Sequence, residues 1–319
     1  MPAPESCMEI ISTPIQEIHD ALFALHQVRV FIKREDLCHP VISGNKWHKL
    51  RLNLQAAKAQ GYQQVLSFGG AYSNHIHALA FACQQQGLKA IGIIRGEELA
   101  QAPLNPCLRD VQSWGMDLHF VSRSAYREKK QQTFLDALRN KLGNFYLIPE
   151  GGANTLAVAS CAEFAKTCFQ QTAQGFDFVV LSCGTGCTLA GFVAGLNELA
   201  NDRKVMVQGF LAVQDAANIY DNITNWLLPT VDQIQSSAVQ HVTWSLNRDY
   251  VLGAYGKQQQ GLIDFMAGFH QRQGILLDPV YTGKMMFGLY DQIRQGRYPE
   301  HSRILVLHSG GLQGLRKDN

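Results

Sequence analysis

The stretch Phe178-Val179-Val180-Leu181-Ser182-Cys183-Gly184-Thr185-Gly186-Cys187-Thr188-Leu189 sets an apolar run against a turn of small residues and then opens a helix. Phe178–Leu181 is short, continuous and rich in β-branched residues, as expected of a strand buried on both faces of a parallel sheet. Leu189, Phe192, Val193 and Leu196 follow at the i, i+3, i+4, i+7 spacing of a helix. The turn between them is a candidate phosphate cup. Its glycines let the backbone wrap closely around a ligand, the N–H groups at a helix start favour an anion, and Thr185 and Thr188 add hydroxyl donors. A dinucleotide fingerprint needs a third glycine at position 189, which is Leu, and a Walker loop needs a closing Gly-Lys-Ser/Thr, which is missing. The competing reading is a tight strand-to-helix turn that binds nothing.

The same alternation runs outward from this unit in both directions. Candidate strands are Val65–Phe68, Ala90–Ile94, Asp117–Val121 and Phe145–Ile148, then Val205–Leu211, His241–Leu246 and Ile304–Leu307. Helical spacing joins Leu50, Leu54 and Ala57, and again Ile76, Leu79, Ala80 and Cys83. Strands alternating with helices imply right-handed β-α-β crossovers, so the fold class is α/β, with two sheets expected over this length. The polar run Arg127–Gln132 reads as a solvated helix face.

Two further turns place functional groups at helix starts. In Gly69-Gly70-Ala71-Tyr72-Ser73-Asn74-His75, Ser73 and Asn74 are good helix caps, and a hydroxyl, an amide and an imidazole come together; His75 is either a general acid or a plain helix-start residue. In Ser43-Gly44-Asn45-Lys46-Trp47-His48-Lys49-Leu50, a lysine stands where the helix dipole repels cations. That field lowers an amine pKa and suits a nucleophilic lysine, although spacing alone favours an ordinary surface lysine at Lys46.

Composition narrows the function classes. Of 319 residues 46% are hydrophobic and 17% charged, and the formal charge of +2 carries no basic stripe, so neither nucleic acid nor an acidic membrane surface is an expected partner. No apolar run approaches the roughly 18 residues needed to span a bilayer, and Met1–Ser6 lacks a positive region ahead of an apolar stretch. The eight cysteines (7, 38, 83, 107, 161, 168, 183 and 187) form no Cys-x-x-Cys pair, which leaves no zinc ribbon or dithiol site; they read as free thiols of a cytoplasmic protein with no metal.

Taken in order, Ile32-Lys33-Arg34-Glu35-Asp36, Ser43–Lys46, Gly69–His75, Gly184–Thr188, Asp278-Pro279-Val280-Tyr281-Thr282-Gly283-Lys284 and Leu307-His308-Ser309-Gly310-Gly311 resemble the 1-aminocyclopropane-1-carboxylate deaminase / D-cysteine desulfhydrase family of pyridoxal 5'-phosphate (PLP) enzymes. The resemblance implies fold type II, that of tryptophan synthase β subunits: two open, twisted, mostly parallel sheets flanked by helices. A small α/β domain (49–160) would sit over a larger one (1–48 with 161–319), with PLP between them and a homodimer as the assembly. It also implies that Lys46 carries the cofactor and acts as the base, that Gly184, Thr185, Gly186, Cys187 and Thr188 hold its phosphate, and that Asn74 meets its 3'-oxygen. Thr282 or Ser309 would meet the ring nitrogen. Ser73, Asn74, His75 and Trp47 would line the amino-acid substrate, and Tyr281, with Tyr255 as a second tyrosine, would serve the leaving group.

Two departures favour a desulfhydrase. His75 stands where deaminases have glutamine, and Thr282 where they have a glutamate at the ring nitrogen. A third touches both activities: Ser43 and Trp47 flank the Gly44–Lys46 turn in place of a glycine and a small residue, so the indole either narrows the pocket or is buried away from it. The expected reaction is α,β-elimination on a small amino acid, D-cysteine first, giving pyruvate, ammonia and sulfide. The alternatives are the cyclopropane deaminase, or a PLP-binding homologue without turnover.

Overall fold

A computed structural model of the chain describes residues 12–199, 203–213, 216–234, 241–252 and 259–316. The strands of the first half are β1 (Ile15–Ile18), β2 (Arg29–Lys33), β3 (Gln64–Gly69), β4 (Lys89–Arg95), β5 (Asp117–Val121) and β6 (Tyr146–Leu147). Those of the second half are β7 (Phe178–Cys183), β8 (Val205–Leu211), β9 (Val242–Asn247) and β10 (Arg303–Leu307). Around them lie helices α1 (Ala21–Leu25), α2 (Lys46–Ala59), α3 (Asn74–Gln85), α4 (Pro106–Ser113), α5 (Arg123–Arg127) and α6 (Gln132–Leu142). The remaining helices are α7 (Thr155–Gln170), α8 (Cys187–Glu198), α9 (Ala216–Ile234), α10 (Gln260–Gln273) and α11 (Thr282–Arg294).

The strands form two sheets among the described residues, a six-stranded one in the order β1-β2-β10-β7-β8-β9 and a four-stranded one in the order β5-β4-β3-β6. Every pairing is parallel except β1 with β2. Parallel sheets need cover on both faces, and the apolar residues are divided accordingly. On the larger sheet Val179, Leu181, Val207 and Leu305 face α7, α8 and α9, while Val180, Phe210, Ile304 and Val306 face Phe269, Met285 and Leu289 of α10 and α11. On the smaller sheet Val65, Ala90 and Ile94 meet α2, α3 and α4, and Leu66, Phe68, Ile91 and Ile93 meet α5 and α6.

The sequence-predicted strands fall where expected, each within a residue or two at its ends, and the apolar stripes of α2, α3 and α8 are all buried. Two features differ. The pair β1 and β2 was not predicted, because β2 carries charge into a sheet interior. Lys33 is buried at the end of β2, where its ammonium donates to Gln171 Oε1 at 3.0 Å and lies 3.6 Å from the carboxylate of Glu35. Arg127–Gln132 is an exposed turn between α5 and α6 and not a helix face, since Arg127 closes one helix and Gln132 opens the next.

Two helices cross between the sheets and are continuous where they do so. α2 begins beside the larger sheet and buries Leu50 and Leu54 under the smaller one, and α7 returns the chain to pack on α8. The α7–α8 contact is close: a Cβ on Gly195 would lie 2.2 Å from the carbonyl oxygen of Ala162. Gly195→Ala is therefore expected to cost about 1–3 kcal/mol through overpacking. Gly261→Ala, in α10 with nothing within 4 Å of its added methyl, should hold stability or gain up to about 1 kcal/mol. Urea unfolding followed by circular dichroism tests both, and equal midpoints for the two variants would refute the packing account.

Candidate active site

The functional turns sit at the carboxyl ends of β3, β7 and β10, the usual edge for ligands in open parallel sheets. α2 starts where the chain passes under the loop after β10. Gly44 has φ +72°, and a Cβ there would fall 1.7 Å from the carbonyl oxygen of Ser309, so only glycine lets these backbones meet. The next residue, Asn45, donates from Nδ2 to Thr188 Oγ1 at 2.8 Å and accepts at Oδ1 from the Lys46 amine at 2.7 Å. The lysine at the helix start is thereby tied to the start of α8.

Lys46 keeps part of its surface open, but protein surrounds its amine on the other sides. Burial, with the nearby Lys49 charge second, pushes its pKa down from 10.5 to about 7; Cys161, Asp278 and Cys187 pull weakly the other way. Lys49 lies one turn further along the same helix face, is only 3% exposed, and donates to Thr185 Oγ1 at 3.2 Å. It has no carboxylate partner among the described residues.

The 184–188 turn closes on this pair. Gly186, at φ +85°, precedes α8 in the left-handed region, and Cys187 and Thr188 are buried in its first turn, whose N–H groups have no intrahelical partners. The Cys187 thiol meets that of Cys161, away from solvent. Gly184 lets the Tyr281 ring approach, since a Cβ there would lie 3.2 Å from Tyr281 Cε1.

At the start of α3, Ser73 Oγ caps the helix by accepting from Ile76 N at 3.3 Å, and Asn74 Oδ1 accepts from Gln313 Nε2. His75 is 2% exposed. Its Nε2 pairs with Ser67 Oγ at 2.8 Å, its ring abuts Gly152, and its Nδ1 is buried without a partner. Burial, then the charges of Lys49 and Lys46, hold its pKa well below 6.5, so the ring is neutral near pH 7 and the cationic general-acid form is excluded there. Trp47 is half-buried and packs against the apolar core of the smaller sheet.

Thr282 and Ser309, the two candidates for one contact, differ. Thr282 is fully buried; its hydroxyl donates to Asp278 Oδ1 at 2.7 Å and accepts from Asp278 N at 2.8 Å. The Asp278 carboxylate also takes the N–H groups of Val280, Tyr281 and Thr282, which fixes the turn that carries Tyr281. Ser309 is half-buried and shares a 3.1 Å hydrogen bond with Ser182. Tyr255 lies outside the described residues.

Sequence reasoning named most of these groups but passed over Lys49, Asn45 and the organising role of Asp278. The i, i+3 spacing of Lys46 and Lys49 was the available signal; the other two depend on contacts far apart in the chain. Together they can do two things. The unpaired Lys49, the α8 start and the two threonines can hold an anion, and Lys46 can attack a carbonyl near neutral pH.

The profile of the family described as "Pyridoxal-phosphate dependent enzyme" matches residues 7–310. The chain is 31% identical to a Pyrococcus horikoshii protein assigned provisionally as 1-aminocyclopropane-1-carboxylate deaminase, over 89% of this chain and 85% of that one. It is 29% identical to the mitochondrial bifunctional D-cysteine desulfhydrase/1-aminocyclopropane-1-carboxylate deaminase of Arabidopsis thaliana, over 90% of this chain and 73% of that one. The crystal structure of an ACC deaminase homologue superposes with a TM-score of 0.81 at 28% identity, covering 96% of this chain and 91% of the other.

The Lys46 amine yields a test that needs no ligand. Reductive methylation of the protein with formaldehyde and cyanoborohydride, read by peptide mass spectrometry, should modify Lys46 with a pH midpoint near 7, set by its lowered pKa. Lys49→Met should move that midpoint upward, because it removes a repelling charge. A midpoint near 10 in the unaltered protein would show that Lys46 is an ordinary lysine.

Proposed function

The chain belongs to the pyridoxal-phosphate dependent enzyme family, in the branch of 1-aminocyclopropane-1-carboxylate deaminases and D-cysteine desulfhydrases, and from that premise we propose that it eliminates the β-substituent of a small amino acid, D-cysteine foremost, to give pyruvate, ammonia and sulfide. One observation carries the reading: a buried, carboxylate-free Lys49 stands between a lysine of lowered pKa and a glycine turn at a helix start. A lone buried cation calls for an anion, and the cofactor's phosphate supplies one.

The residues present fit the cofactor. Besides the cation, His75 Nδ1 is a buried polar atom in want of a partner, and glycine at 311 lets Asn74 and Asp278 come close to the backbone after β10, since a Cβ there would fall 2.9 Å from Asn74 Nδ2 and 3.2 Å from Asp278 Cγ. Lys46 would hold the cofactor's carbonyl end, Gly184–Thr188 with Lys49 its phosphate, and Asn74 its 3'-oxygen. Of the two hydroxyls considered for the ring nitrogen, Ser309 is the better supported, because both hydrogen-bonding directions of Thr282 are taken by Asp278. Bound PLP supplies an electron sink for the pair left when a bond at the α-carbon breaks.

The chain's own groups do the rest. The Lys46 amine, its pKa lowered by burial, can take a proton from the substrate's α-carbon. Ser73, fixed by its helix cap, can orient the substrate carboxylate, and Tyr281, held by the Asp278 turn, can protonate a departing thiolate. A histidine at 75 in place of glutamine and a hydroxyl at 282 in place of a glutamate support elimination over cyclopropane opening. We also propose a division into a domain of 49–160 and a larger one of 1–48 with 161–319, assembly as a homodimer, and a cytoplasmic setting. Free thiols at all seven described cysteines support the last.

PLP-loaded protein should release ammonia from D-cysteine, and Lys46→Ala should abolish that release. Release only from 1-aminocyclopropane-1-carboxylate would replace the desulfhydrase reading by the deaminase one. Silence on both substrates and on L-cysteine, from protein that still binds PLP covalently, would leave the binding reading and end the lyase one.

A further inference from the structure

The segment after β10 crosses to the smaller sheet and takes hold of the start of α3. Gln313 Nε2 donates to Asn74 Oδ1. Three residues on, Arg316 pairs with Asp110 of α4, and the same Asp110 carboxylate oxygen accepts from His77 Nε2 at 3.0 Å. His77 is buried at 4% exposure on α3, one turn after Asn74, with its ring edge-on to Trp114 at 4.7 Å. The segment thus grips the first turn of α3 twice, once directly and once through Asp110.

From this we infer that Gln313 is a positioning residue: by donating to the oxygen of the Asn74 amide, it leaves the NH2 end of that amide facing Gly311, for the cofactor contact proposed above for Asn74. An Asn side chain has one acceptor end and one donor end, and nothing in its shape alone separates them. The Gln313 amide has both ends too, but with its NH2 end engaged on the Asn74 oxygen the NH2 end of Asn74 is left to face the other way. Gln313 engages the oxygen, and Asn74 Nδ2 lies against the position that a Cβ on Gly311 would occupy, at 2.9 Å. Gly311 itself, at φ +92°, stands in the left-handed region, and its missing side chain lets the Asn74 amide lie this close. The inference rests on the reading above in one respect, that the Asn74 amide donates to an oxygen of PLP.

Two substitutions at 313 separate positioning from mere tethering. Gln313→Ala removes both. Gln313→Glu keeps the shape and can still hold Asn74, but its carboxylate accepts only, so it draws the NH2 end to itself and turns the amide oxygen towards the cofactor. PLP-loaded protein should release its cofactor on dialysis about tenfold more readily in the Glu variant, the scale of one misdirected hydrogen bond, and the pH profile of its visible absorbance should shift alongside that of Asn74→Ala. Circular dichroism should show the Glu variant folded. A Glu variant that keeps cofactor and absorbance profile like the parent, while Ala loses them, would reduce Gln313 to a tether and overturn the inference. Parental behaviour of both 313 variants would do the same. If Asn74→Ala leaves cofactor retention and absorbance unchanged while Lys46 still captures PLP, the inference falls through the Asn74 contact, and the family reading stands.

Discussion

Two lysine amines held within one turn of α2 set the terms for the rest of the site. Lys49 is buried and Lys46 largely so, and neither faces a carboxylate at contact distance. Taking an ammonium out of water without an anion is costly, and a second one beside it compounds the cost. The chain answers with neutral partners, Asn45 Oδ1 for Lys46 and Thr185 Oγ1 for Lys49, and with a lowered Lys46 pKa that sheds part of the charge near neutral pH. What remains unbalanced is positive charge next to the open first turn of α8, which suits that turn to an anion. The same burial lowers the Lys46 pKa, the condition a lysine needs to act as a nucleophile near neutral pH.

The α/β frame delivers these groups from distant parts of the chain. Parallel strands leave their connecting turns at one edge, so the turns after β3, β7 and β10 converge there. α2 bridges the two sheets, carrying Lys46 and Lys49 at one end and the apolar Leu50 and Leu54 in the core of the smaller sheet. Backbone contact between Gly44 and Ser309, and side-chain contacts of Asn45 with Thr188 and of Lys49 with Thr185, then lock the helix start against the larger sheet. Asp278 sets the opposite wall by gathering three N–H groups of the turn that bears Tyr281.

Where the chain follows local rules, it was readable from the residues. Continuous apolar runs marked the buried parallel strands, and the stripes of α2, α3 and α8 marked the helix faces, because parallel sheets bury both sides. β2 escaped because Lys33 enters the interior, a placement that makes sense only once Glu35 and Gln171 are seen beside it. Trp47 could be read either as narrowing the pocket or as buried away from it; its packing under the smaller sheet gives it a core to belong to.

By itself the sequence determined the α/β class and the glycine turns, since each of these is set by neighbours a few residues away through periodicity and backbone freedom, whereas Lys46 stood out only through the family resemblance. It also carried enough ordered motifs to resemble the right family. The tertiary structure decided what depends on long-range contact. It paired Lys49 with the 184–188 turn, bound both directions of the Thr282 hydroxyl to Asp278, joined Ser309 to Ser182, neutralised His75 by burial, and set Gln313 against Asn74. Burial and hydrogen-bond direction are properties of the packed chain, and no local pattern of residue types encodes them.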